Sequence, residues 1–499
     1  MGLVDQKIPP IREDRLKAIE AFGGRVCDLV NHSGNGCLVN KKRGFSQTCN
    51  CQMGLALSMI NTIPDIVIIK HGPVGCGNSS QTDKNFINGL KSRGMNQKPL
   101  IWVSTNLDEN DIVNGGEARL REAIIKLDSL HRPAAIVVLT TCATGIIGDD
   151  VNEVVAQLQG QVNAKIILVH CEGFRTKISA TAYDAVYHGI ARGLELQEKD
   201  EERIIVDELD VLKREYDRKR TVNIFNAFSI GRLDELELER LLNALGLKVK
   251  FYPNFAHPDS FRELTNAALN ISLCPTHDDY FLKFLEERFG MPYLIKNMPI
   301  GIENTTDWLL DVAKEFGLEE QASKIAEAEV AILEKGLEPF RSKLQRKKVF
   351  VTGGEIRVVV TAMLMKEFGC EIAGLRGHHY DQYGDDIYAK LLKDDPEIEV
   401  NIATTQTFEL ANLLKRAKPD LALAHSSSNI IAGKLGIPTL PIFSQGNYYF
   451  GYKGVFEVAR RAVKALTNPS YQQKLQENIR LPYKAEWYER SPFAYISDY

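Results

Sequence analysis

The chain has 499 residues, enough for about three domains, each with its own core. Charged residues make up 25% and apolar residues 44%, with 61 Lys and Arg against 65 Asp and Glu for a net charge of -4. That balance excludes a basic nucleic-acid binder and a polybasic membrane-surface protein, and describes an ordinary soluble globule. The N-terminal stretch MGLVDQKIPPIREDRLKAIEAF carries charges throughout and no apolar h-region, and no later run reaches about eighteen apolar residues. A cytoplasmic protein without a membrane span is the expectation. MGLVDQ also lacks the Ser/Thr of a myristoylation signal. Nine cysteines (27, 37, 49, 51, 76, 142, 171, 274, 370) are sparse and odd in number, unlike a disulfide framework. Metal ligation or plain core packing remain.

Short continuous apolar runs separated by helical patterns predict an α/β chain of parallel sheets covered on both faces. In chain order, IVIIK (66–70), AAIVVL (134–139) and KIILVH (165–170) read as strands, with VNEVVAQLQ as a helix between the last two. A charged helical stretch (195–220) closes the first domain, placed at 1–220. VNIFNAF, KVKFYP and NISLC then alternate with the helical patterns LDELELERLLNALG, SFRELTNAAL and DDYFLKFLEERFG, a second doubly wound unit at 221–345 that ends in a long polar helix. KKVFVTGG, EIAGL, EVNIATT, DLALAH and LPIF form a third unit at 346–468 with helices IRVVVTAMLMKEFG, TFELANLLKRA and GVFEVARRAVKAL. The fold class is thus three successive doubly wound, Rossmann-like domains. The aromatic tail 469–499 reads as a segment that docks on a surface.

Ligands of such sheets bind beyond the carboxyl ends of the strands. Cys76, Cys142, Cys274, the pair Gly353 and Gly354, and His425 all fall where a strand gives way to its loop. Cys51, Cys76 and Cys142 lie in separate segments, which excludes a local zinc knuckle. Three converging thiolates suit part of an iron–sulfur cluster completed by another chain. The plain alternative, small core thiols behind buried strands, stays open on spacing alone. No G-x-x-x-x-G-K-[ST] string occurs, so ATP binding through a P-loop is not expected.

The text around these residues is more specific. CQMGLALSMINTIPDIVIIKHGPVGCG (51–77), TTCATGIIGDDV (140–151) and HCEGFR (170–175) resemble the α-type subunit of the nitrogenase catalytic component. The resemblance continues through NISLCPTHDDYF, VFVTGGEIRVVVTAMLMKEFG and KPDLALAHSSSNIIAGKLGIP, spanning roughly 45–465. It implies that Cys51, Cys76 and Cys142 hold half of a P-cluster-type cluster of eight irons and seven sulfurs shared with a β-type subunit, with Cys49 a rival to Cys51. It implies that Cys274 holds one end of a large active-site cluster of eight irons, nine sulfurs and a carbide, heterometal and organic acid undetermined. Gly353 and Gly354 match a glycine pair that lets backbone approach that cluster; the alternative is a simple strand-to-helix turn.

Several positions depart from the family pattern. The family's far-end histidine, after the strand read here as LPIF, is replaced by Phe443 or Ser444, and His425 on a neighbouring loop is either a substitute iron ligand or a cavity-lining residue. A lysine that holds the organic acid is replaced near Ser427. The family's proton-delivering histidine falls at Tyr183, beside Asp184, with His188 about a helical turn further on. An arginine becomes Lys84, and a bulky gate residue becomes Ser58. These replacements disfavour dinitrogen as substrate. Among nitrogenase-like systems the chain is similar to the α-type (D) subunits of methylthio-alkane reductases. That similarity implies ATP-coupled reductive cleavage of dimethyl sulfide or 2-methylthioethanol to methanethiol and a small hydrocarbon or alcohol. The implied partners are a β-type subunit in an α2β2 heterotetramer, a transient homodimeric ATP-hydrolysing iron protein and a small thioether, with neither nucleic acid nor membrane. The competing reading is a cofactor-assembly scaffold, or a nitrogenase α subunit with altered cofactor ligation. A dark-operative tetrapyrrole reductase fits less well because it has no counterpart of Cys274.

Overall fold

The computed structural model describes residues 2–47, 51–77, 83–197, 208–393, 395–443 and 446–497. The side chains of 77, 83–85 and 426 are outside this description. The described residues within 1–12, 50–228 and 246–295 form one compact unit, and those within 13–49, 229–245 and 296–499 form the other.

The first unit holds two four-stranded parallel sheets. In one, Ile66–His71 lies between Ile101–Ser104 and Ala135–Thr140, and Lys165–Val169 follows on the outside. Ile66–His71 and Ala135–Thr140 are buried along their whole length, which is why their sequences are continuously apolar rather than alternating. Val67, Ile69, Ile136 and Val138 pack against Leu120, Ile124, Val154 and Leu158 of the helices Glu117–His131 and Val151–Leu158. In the other sheet, Thr221–Asn226 lies between Lys248–Pro253 and Leu269–Ser272, with Tyr293–Leu294 at the far edge.

Both sheets share one consequence of strand order. The first strand has the second on one side and the third on the other, so the chain reverses its direction of winding between the first and third strands. The crevice at the carboxyl ends of those two strands is where ligands lodge in doubly wound sheets.

The second unit carries a six-stranded sheet. Lys348–Gly353 sits centrally between Glu371–Gly377 and Leu421–Ala424, flanked by Glu399–Ala403 and Thr439–Pro441. Its reversal falls between Lys348–Gly353 and Leu421–Ala424. The sheet is parallel except at one edge, where Ala21–Arg25 pairs antiparallel with Glu399–Ala403 (Ala21 opposite Ala403).

Three details differ from the sequence-based expectations. Residues 13–49, assigned to the 1–220 domain, lie in the second unit because Ala21–Arg25 completes the sheet of the third domain. Residues 229–245 and 296–345, assigned to the middle domain, also lie there, so that the middle domain is divided between the two units. SFRELTNAAL is not an α-helix: only the 3-10 turn Pro258–Glu263 forms, capped by the His257 ring, and Leu269 already begins a strand. Too few residues separate Pro258 from that strand for a helix to descend and return. The tail docks on its own chain: Trp487 donates its indole N–H to the Phe408 carbonyl at 2.9 Å, Trp487 stacks on Tyr495, and Ile496–Ser497 pairs with Lys42–Arg43. Among the described residues no helix is long and apolar enough to cross a membrane.

Candidate functional site

In the first unit the candidate thiols stand at or within the first turn after a strand or loop. Cys51 precedes Gln52–Ile60, Cys76 lies in the turn Val74–Gly77 just after Ile66–His71, and Cys142 opens Cys142–Ile147 just after Ala135–Thr140. The last two therefore occupy the reversal point of their sheet. The string C-x-x-G-x-I-G-D-D is a mechanical unit: a short helix stopped by Gly148 at φ 82°, followed by Asp150, whose side chain caps the next helix through the Glu153 N–H at 3.1 Å. Asp149 reaches back to the other specific string, its Oδ2 lying 3.1 Å from His71 Nε2, while His71 Nδ1 lies 3.1 Å from Thr105 Oγ1. Burial lowers the His71 pKa, so the ring is a neutral strut between the cysteine-bearing loops.

The thiols are free, and those of Cys51 and Cys142 lie against Gly173. A Cβ on this residue would lie 3.4 Å from Cys51 Sγ and 3.6 Å from Cys142 Sγ, and its own N–H donates to Cys142 Sγ at 3.1 Å. Next to it, Gln52 donates to the Glu172 carbonyl at 2.9 Å, fastening the Cys51 helix to the same segment. Burial pushes the Cys76 thiol pKa up, and the neighbouring Cys142 and Cys51 charges push it further. A divalent or polynuclear cationic centre removes that penalty by taking the thiolates as ligands. Lys70, at 2% exposure the largest buried cation near Cys76, has its pKa lowered by burial. Cys171 is fully buried with its thiol pushed well up by burial, the profile of a core residue. Cys49 lies outside the described residues.

Cys274 caps the helix Pro275–Phe289 directly after Leu269–Ser272, the reversal strand of the second sheet, and is buried. Tyr183, in the helix Thr181–Gly193, is buried with its ring centroid 4.1 Å from that of His277, three residues beyond Cys274. Asp278 bonds to Ser272 Oγ at 3.0 Å and Tyr187 Oη at 3.1 Å, and burial pushes its carboxyl up to about 8. Asp184, by contrast, is occupied by Arg12, 2.9 Å away in an ion pair without solvent, which fits a structural counter-ion rather than a proton donor. His188 is buried with Nδ1 on Tyr280 Oη at 2.8 Å, and burial pushes its pKa down to about 4. Ser58 donates its hydroxyl to the Leu55 carbonyl at 2.7 Å, one turn back in its own helix. Lys84 lies in the helix Asp83–Ser92.

In the second unit, Gly353 ends its strand, Gly354 caps the helix Glu355–Glu367, and His425 caps Ser426–Lys434 after Leu421–Ala424. All three stand at the reversal point. A Cβ on Gly353 would meet Ile442 Cδ1 at 2.4 Å and His425 Cδ2 at 2.8 Å, whereas one on Gly354 would meet nothing within 4 Å. The pair thus has a packed side and an open side. Burial pushes the His425 pKa down to about 4, helped by the Arg357 charge, leaving a neutral imidazole suited to metal ligation. Phe443 is part-buried, with its ring 6.4 Å from that of His425 and 5.9 Å from the Arg357 guanidinium. Ser427 is exposed in the first turn of Ser426–Lys434, and Ser444 lies outside the described residues.

Sequence reasoning missed Gly173, His277, Lys70, Arg357 and His378. His378 follows Glu371–Gly377 with its ring 5.9 Å from that of His425, and the same strand-end rule that picked out His425 identifies it. Arg357 donates to the Ser229 carbonyl at 2.6 Å, a pairing across distant chain segments that no local pattern marks.

Comparison with known proteins agrees with the fold. Residues 51–467 match the family described as Nitrogenase component 1 type Oxidoreductase. The chain is similar to the nitrogenase iron-molybdenum cofactor biosynthesis protein NifE of Methanococcus maripaludis, with 26% identity over 93% of this chain and 94% of that one. It is similar also to the nitrogenase molybdenum-iron protein alpha chain of Methanothermobacter marburgensis, with 24% identity over 84% and 89%. The solved structure of nitrogenase Cp1 at pH 5 shares the fold, with TM-score 0.70 at 22% identity, covering 90% of this chain and 93% of that one. The chain belongs to the nitrogenase component 1 type oxidoreductases.

Proposed function

We propose that this chain is the α-type catalytic subunit of a nitrogenase-like reductase that cleaves a C–S bond of a small methylthio-alkane. Cys51, Cys76 and Cys142 would hold half of a P-cluster-type cluster, with a β-type subunit supplying the rest within an α2β2 assembly. The donor chemistry fits: the soft sulfurs of Cys51 and Cys142 flank Gly173, and Cys76 is near enough for their charges to raise its thiol pKa. Cys274 would ligate the active-site cluster. Gly354 would present backbone to a bulky ligand on its open side, and His425 would act as an imidazole ligand. When bound, the clusters supply low-potential electrons, received from a separate ATP-hydrolysing iron protein.

The observation that carries the reductase reading is the Tyr183–His277 pair beside Cys274. Reductive scission needs protons as well as electrons: dimethyl sulfide, two protons and two electrons give methane and methanethiol. A buried phenol in ring contact with an imidazole is a group able to hold and release a proton next to a metal-binding thiolate.

A second reading, a cofactor-assembly scaffold, is favoured by the NifE similarity along 93% of the chain. The complex purified anaerobically with its partners and given dimethyl sulfide, ATP and reductant separates the two. Substrate-dependent methanethiol and methane support the reductase. Cluster transfer to an apo-acceptor without product would replace it with the scaffold.

A further inference from the structure

Glu355, His379 and Asp381 form a second group of metal-type donors, none of them a cysteine and none used above. Glu355 opens the helix Glu355–Glu367, and His379 and Asp381 follow the strand Glu371–Gly377. Their exposures are 1%, 4% and 1%, so the group is shut off from water. His379 Nε2 lies 3.6 Å from Glu355 Oε2 and 3.7 Å from Asp381 Oδ2, beyond hydrogen-bond length, and that buried nitrogen has no hydrogen-bond partner. One donor atom from each residue falls within 4.8 Å of the others. A point equidistant from three atoms so spaced lies about 2.1–2.4 Å from each, close to the bond length of a first-row divalent ion to imidazole and carboxylate donors.

We infer that Glu355, His379 and Asp381 bind one divalent first-row transition-metal ion, of the Mn2+, Fe2+ or Zn2+ class, at a mononuclear site distinct from any iron–sulfur cluster. The mixed nitrogen and oxygen donors select this class over Ca2+ or Mg2+, whose sites are built of oxygen, and the absence of thiolate disfavours softer ions. Two carboxylates with a 2+ ion make a neutral unit, which answers the cost of burying like charges together. The backbone already orients the donors. Asp381 accepts the Tyr383 N–H at 3.0 Å through Oδ1 and Glu355 Oε1 accepts the Asp381 N–H at 3.3 Å, while Asp381 Oδ2 and Glu355 Oε2 are the oxygens that face the imidazole.

The test uses the full chain in complex with its partner, stripped with chelator and titrated with Mn2+ at room temperature, reading the six-line signal of free Mn2+. The expected result is about one Mn2+ removed from solution per chain and displaced by Zn2+. Asp381→Asn, which keeps the acceptor for the Tyr383 N–H, and His379→Gln should each weaken this binding at least about 10-fold. A wild-type complex that takes up neither Mn2+ nor Zn2+, or variants that bind as the wild type does, would overturn the site and leave a plain histidine–carboxylate ion cluster.

Discussion

Gly173 and Gly353 are both constrained by what stands over their α-carbons, but by different neighbours. At Gly173 the neighbours are sulfurs at ordinary contact distance, so Gly173→Ala should fold and yet occupy space that a cluster bound to Cys51 and Cys142 requires. The expected outcome is a near-wild-type Tm with reduced iron per chain; unchanged iron would show that the cluster lies elsewhere. At Gly353 the neighbours are Ile442 and His425, closer than any real Cβ approaches, and overpacking of this kind costs about 1–3 kcal/mol. Gly353→Ala should therefore lower the Tm, and an unshifted Tm would mean that His425 swings aside freely. Under the proposed function, Cys274→Ala should remove the spectrum of the proposed active-site cluster while sparing that of the proposed P-type cluster, because the two sets of thiols belong to different sheets; joint loss would contradict separate sites.

Individual elements are tied down by contacts that also titrate. Asp234, in the helix Arg232–Ala244, accepts the N–H groups of Tyr449 and Phe450 at 2.6 and 3.0 Å, and burial raises its pKa from 3.8 to about 6. Its raised pKa means the folded chain holds a proton that the unfolded chain has lost. This contribution is full below pH 3.8, falls as pH rises, and is gone above about 6. At about 1.4 kcal/mol per pH unit the loss is roughly 3 kcal/mol. Asp234→Asn should flatten that part of the slope, visible as a smaller difference between unfolding midpoints at either end of the window; an identical slope would assign the titration to other groups. The aromatic tail is the other fastened element. Trp487→Ala would expose part of the Phe408 ring and lose the indole bond, at about 2 kcal/mol for a half-buried tryptophan. A Tm equal to the wild type would show that the tail is only draped on its sheet.

At the scale of the molecule, the cysteine trio carries the expectation of partnership. Cys51 is exposed and Cys76 only part-buried, whereas Cys171 and Cys274 are enclosed. Under the proposed function, Cys76→Ala should weaken association with the proposed β-type chain, read by sedimentation, as well as electron transfer; an intact assembly with normal turnover would count against a shared cluster. Much of this was legible in the chain itself. Continuous apolar runs follow from burial on both faces of a parallel sheet, and glycine, aspartate and cysteine at the ends of those runs announce turns, caps and ligands, since those are local requirements of backbone geometry. Which strand neighbours which is not a local property. The reversal points at Ile66–His71 with Ala135–Thr140, and at Lys348–Gly353 with Leu421–Ala424, arise only when the sheets assemble. For the same reason the tie between Arg12 and Asp184, the gathering of sulfurs around Gly173 and the capture of Ala21–Arg25 by a distant sheet were decided by tertiary structure: each joins segments far apart in sequence, where periodicity carries no information.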